Sequence, residues 1–130
     1  MSESAQALSK VLGLGSAHEG GHHWRVQRLT SLALLALGPW LLVSLALLPD
    51  FDFDTLRAWA SGLLNASLLA LLIVSSCWHS HLGLQVVFED YIRGWGRMTA
   101  LILSAFVHVA LGVVGVLAVA RLALGPAAAG

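Results

Sequence analysis

Two histidines stand inside long apolar runs, where an ionisable ring needs a physical reason to be. His79 lies 12 residues before Tyr91, and His108 lies 10 residues after Met98. At 1.5 Å per helical residue each falls roughly 15–18 Å from the polar group bounding its run, near the middle of a bilayer. An ionisable side chain at that depth is costly unless it is partnered, so it marks a functional site by default. Neutral imidazole is also a common axial ligand of haem iron. His79 has Ser75 and Ser76 one turn before it and Gly83 one turn after it; His108 has Ser104 at i−4 and Gly112 at i+4. Such small residues share a face with the histidine and leave room for a flat macrocycle. They equally allow tight helix packing, with the histidine hydrogen-bonded across the interface. Spacing does not choose between His79 and His108, and a bis-histidine haem within the chain stays open. His81 points about 160° away from the Gly83 face and reads as a packing or interface residue.

The polar group Glu89-Asp90-Tyr91 is the second candidate cluster. A phenol at a membrane boundary is an interfacial anchor in the plain reading. It is also a hydrogen-bond donor at neutral pH, able to polarise a carbonyl oxygen. Glu89 and Asp90 read either as solvated helix-end charges or as carboxylates that relay protons. Asp90 follows His79 by 11 residues, about three helical turns, so the two share a face. Arg25 and Arg28 precede the first apolar run; Arg25 reads as a flanking charge, whereas Arg28 could pair an anionic group bidentately. Trp24, Trp59 and Trp95 stand at span edges as anchors.

The elements that position these residues are legible in the hydropathy. The chain has 130 residues, 58% hydrophobic and 11% charged, with a mean hydropathy of +0.81. A water-soluble domain of this size cannot hide that much apolar surface, so the fold class expected is an all-α integral membrane protein with three transmembrane helices. The spans predicted are 29–48, 58–88 and 98–122, after a polar segment 1–28 and before a tail 126–130. The segment His18–His23, rich in glycine and histidine, reads as an interfacial loop. Pro39 inside the first span removes a backbone bond and predicts a kink. The second run is longer than a bilayer needs, which implies tilt or projection. Zero net charge argues against nucleic-acid binding. Cys77, the only cysteine, excludes a disulfide and a thiolate cluster. A polar start followed by so long an apolar run is not the pattern of a secretory signal. Lys10, Arg25 and Arg28 precede the first span and Arg93 and Arg97 follow the second, while the intervening loop carries Asp50, Asp52 and Asp54. The positive-inside rule then places the N-terminus and the second loop in the cytoplasm and the C-terminus outside.

One stretch is more specific. His79-Ser80-His81-Leu82-Gly83-Leu84-Gln85-Val86-Val87-Phe88-Glu89-Asp90-Tyr91 resembles the H-x-x-x-G-x-x-x-V-x-x-D-Y segment of the hydrophobic membrane anchor of succinate dehydrogenase, respiratory complex II. Its LGLQVV-x-EDY wording is especially like alphaproteobacterial members. Upstream, His22-His23-Trp24-Arg25-Val26-Gln27-Arg28-Leu29-Thr30 looks like the family's entry to helix one, with its R-x-T pattern. The resemblance spans about residues 16–125.

The resemblance implies a set of roles. His79 is implied as an axial ligand of a b-type haem shared with the sister anchor, which is the cytochrome b subunit. Tyr91 is implied as a hydrogen-bond donor to a ubiquinone carbonyl, with Asp90 in the vicinity of that site, and Arg28 as a partner of the haem propionates. Thr30 matches the pattern without a role, and His108 has no counterpart. The chain would then be a non-catalytic anchor in a bacterial inner membrane, with a cytoplasmic N-terminus and a periplasmic C-terminus. It would tether the flavoprotein and iron–sulfur subunits. Two alternatives remain at this point: the anchor of a fumarate reductase, and a small cofactor-free membrane scaffold.

Overall fold

The computed structural model describes residues 17–125; the expectations for the leader before residue 17 and for the tail 126–130 lie outside the described residues. Four helices follow one another: α1 Ala17–Ala46, α2 Phe53–Ser61, α3 Leu63–Tyr91 and α4 Trp95–Leu124. No strand occurs among the described residues. Three segments, Gly21–Ala46, Leu63–Tyr91 and Trp95–Leu124, are long and apolar enough to cross a membrane. A helix is the natural solution there, because it satisfies every backbone N–H and C=O internally where no water can.

The boundaries differ from the expected ones in two instructive places. The loop expected over His18–His23 is helical, as the first turns of α1. The glycines cost helix propensity, but ending the helix in the boundary region would leave backbone groups unpaired, and helix continuation avoids that. The second apolar run is also not one helix. Asp52 caps the short α2, its side chain accepting from the Thr55 N–H at 2.8 Å. That backbone N–H holds the Asp52 carboxyl below the usual carboxylate range. Gly62 then separates α2 from α3 with an extended ψ of 130°. Asn65 bridges the break by donating to the Trp59 carbonyl at 2.8 Å. Pro39 sits inside α1 without ending it.

Helix α3 is central. It packs against α1 on one side and α4 on the other, and the backbones of these two do not approach each other closely among the described residues. The antiparallel register on α4 can be read from its contacts. A Cβ on Gly115 would come within 2.9 Å of Ile73 Cγ2, one on Gly112 would lie 3.9 Å from Cys77, and His108 bonds Ser80. Glycines here let two helices approach closely, since hydrocarbon gives no hydrophobic drive for association. On the α1 side, Thr30 meets His79, while Trp40 stacks on Trp59 of α2 with centroids 6.1 Å apart. The α3–α4 connection is only Ile92–Gly94, and Gly94 takes φ +64° and ψ −145°, a region that side-chain-bearing residues avoid. Few residues are buried: Leu37, Ala60, Ala66, Leu82 and Val119 among the apolar ones, and Ser75 and Ser104 among the polar. Large apolar side chains such as Leu35, Leu42, Phe106 and Val114 face outward, the pattern of a surface solvated by lipid or by partner helices.

Candidate functional site

The two mid-span histidines, alike in sequence setting, differ in their hydrogen bonds. His108 uses both nitrogens. Its Nδ1 lies 2.7 Å from the Ser104 carbonyl, which can only accept, so Nδ1 carries the proton. Its Nε2 lies 3.1 Å from Ser80 Oγ on α3, which then donates. This is the cross-interface packing arrangement, and it ties α4 to α3.

His79 uses one nitrogen. Its Nδ1 is 3.1 Å from Thr30 Oγ1 on α1, and Nε2 makes no hydrogen bond among the described residues. Ser75, one turn earlier, is buried in the packed side of α3. Gly83, one turn later, faces open space, with nothing within 4 Å of where a Cβ would stand. The ring is therefore half-buried and held from one edge, beside an unfilled stretch of helix surface. A free imidazole nitrogen next to bare helix backbone suits an axial metal–macrocycle ligand.

His81 lies on another face of α3. Its ring centroid is 5.6 Å from that of His108, and with Trp78, Cys77, Val74 and Val109 it lines an open apolar groove of about 510 Å³ between α3 and α4. Its Nδ1 is buried without a partner, as are His23 Nε2 and Gln27 Oε1 on α1. No cluster of three or more metal-binding side chains occurs among the described residues.

Tyr91 ends α3 with 83% of its surface exposed, and Trp95, beginning α4, is 91% exposed. Asp90 is exposed beside it, and Gln85 donates to Glu89 at 2.9 Å one turn back. His79 and Tyr91 are separated by 12 residues, roughly 18 Å along the axis, so they are two stations and not one site. Arg28 is exposed and lies over the Trp24 ring at 5.5 Å, a cation–π contact. It stands about 160° around α1 from Thr30, so the structure does not bring it to His79. Arg25 Nε donates to the Gly21 carbonyl. The residue that sequence reasoning left without a role is Thr30. The available signal was a hydroxyl inside a membrane span, which in such helices commonly bonds across to a neighbour.

Three long apolar helices, each able to cross a membrane, define an integral membrane helix bundle. The succinate dehydrogenase/fumarate reductase transmembrane subunit family matches residues 2–119, and the chain belongs to that family. Among curated relatives, the succinate dehydrogenase hydrophobic membrane anchor subunit of Paracoccus denitrificans is 32% identical over 87% of this chain and 88% of its own length. Those of Rickettsia bellii and Rickettsia conorii are each 34% identical over 65% of this chain and 68% of their own. No solved structure matches. The likeness to alphaproteobacterial anchors expected from the LGLQVV-x-EDY stretch is thus borne out.

Proposed function

We propose that this chain anchors a succinate:ubiquinone oxidoreductase in the bacterial inner membrane, holds a b-type haem through His79, and forms part of the ubiquinone-reduction site at Tyr91. The observation that carries the haem assignment is the contrast between the two histidines. His108 has both nitrogens engaged, whereas His79 keeps Nε2 free. A further residue holding the haem would come from the partner anchor, the cytochrome b subunit, since cofactor sites in helix bundles are built from side chains on facing helices. When bound, the haem supplies a one-electron redox centre. Arg28 is assigned to a propionate by the family resemblance alone.

At the other station the chemistry is that of a quinone: two electrons and two protons convert ubiquinone to ubiquinol. The electrons come from succinate through the flavoprotein and iron–sulfur subunits, both tethered at the end of the bundle where the positive-inside rule places the cytoplasm. The exposed phenol of Tyr91 donates a hydrogen bond to a quinone carbonyl and favours charge developing on that oxygen. Asp90, exposed beside it, passes protons inward from water. The family description also covers fumarate reductases, which run the chemistry in reverse, but the relatives quoted above are succinate dehydrogenase anchors.

The test is the dithionite-reduced spectrum of the purified complex. A b-type α-band is expected in the wild type, lost in His79→Ala and retained in His108→Ala. A band that survives His79→Ala unchanged sinks the ligand assignment; one lost only in His108→Ala reverses it.

A further inference from the structure

We infer that Thr30 is a positioning residue that fixes the tautomer and ring plane of His79, and so tunes the metal it is proposed to ligate; this rests on the haem reading above. Thr30 Oγ1 has three neighbours: the carbonyl oxygens of Val26 at 3.0 Å and Gln27 at 2.9 Å, and His79 Nδ1 at 3.1 Å. A hydroxyl has one hydrogen and two lone pairs. Carbonyls only accept, so the hydrogen goes to the α1 backbone, the back-bonding usual for threonine in a helix. A lone pair is then what Oγ1 presents to the ring, and Nδ1 donates to it in the tautomer that leaves Nε2 free for a metal. Neutral imidazole with Nδ1 protonated keeps its lone pair on Nε2, the nitrogen left without a partner. Thus α1 sets, through one oxygen, which nitrogen of an α3 residue is available to a metal.

Two consequences follow. The ring plane is held by a bond to a different helix, so its orientation does not depend on the χ angles of His79 alone. An Nδ1–H donating to an oxygen also makes the imidazole a stronger electron donor, which favours the oxidised metal. Removing the acceptor should therefore move the midpoint potential in the positive direction and loosen haem retention, by about tenfold or more on the scale typical of such outer contacts.

The experiment uses the complete purified complex. Thr30→Val keeps the shape and removes the hydroxyl; Thr30→Ser keeps the hydroxyl. Ser31→Ala is the matched control, because the Ser31 hydroxyl bonds only the Gln27 carbonyl. Readouts are haem per complex, the haem midpoint potential and the low-temperature EPR g-values of the ferric haem. For Thr30→Val we expect reduced haem content, a more positive potential and shifted g-values, with Thr30→Ser and Ser31→Ala close to wild type. Should Thr30→Val fail to assemble, Thr30→Ala carries the same expectation. Wild-type content, potential and g-values in the hydroxyl-free variant overturn the inference while leaving His79 as ligand. A wild-type complex without b-type haem, or with a spectrum indifferent to His79→Ala, overturns both.

Discussion

Tyr91 is the residue on which the redox reading is most open to test, because its exposure leaves its hydroxyl free for a bound quinone. Tyr91→Phe removes one donor and almost nothing else, since the ring makes little packing contact. Quinone reductase activity is expected to fall about 10²-fold, the scale for losing a donor aimed at a reacting oxygen. Succinate oxidation by artificial dyes, which bypasses the membrane station, should be retained. Full quinone activity would remove Tyr91 from the site. At this scale the sequence was informative about residue identity and silent about partners. His79 and His108 have serines and glycines at the same offsets, so helical periodicity treats them alike. What separates them is Thr30, 49 positions upstream of His79, and Ser80, 28 positions before His108. Contacts at that separation are set by how helices pack, which no local pattern encodes.

The elements were legible where hydropathy alone decides them. Three long apolar runs gave three spanning helices, because a bilayer allows little else. The Gly62 break was hidden, since Ala58, Trp59, Ala60, Leu63 and Leu64 read as one continuous run. The closeness of α3 and α4 was not legible either, because a glycine in a span says nothing of its distance from a neighbour. That distance makes a prediction. A Cβ on Gly115 would press within 2.9 Å of Ile73, whereas one on Gly112 would lie in ordinary contact with Cys77 at 3.9 Å. Gly115→Ala should therefore destabilise the α3–α4 pair by about 1–3 kcal/mol, the usual cost of overpacking, and Gly112→Ala should be near neutral. Thermal inactivation of the purified complex compares them. Equal midpoints for the two variants would mean that Gly115 does not limit the approach of the helices.

On the scale of the whole molecule, the three long helices form an open row, with the short α2 packed on α3 and α4 at one end. With α1 and α4 apart, the His79–Gly83 stretch of α3 is not sealed within the chain. A cofactor bound there needs a second wall, which fits a partner anchor on that side. A photo-crosslinking residue at position 83 should therefore form an adduct with the partner anchor in the intact complex. The same probe at Phe106, on the outward face of α4, should not. Adducts at 106 alone would place the partner on the opposite side. The connection at Gly94 has a mechanical consequence. Only Ile92, Arg93 and Gly94 join Tyr91 to Trp95, and a three-residue link has no slack to absorb motion. Tyr91 is thereby geared to the start of α4. A shift or tilt of that outer helix, whether from lipid or from a neighbour, would be delivered to the phenol.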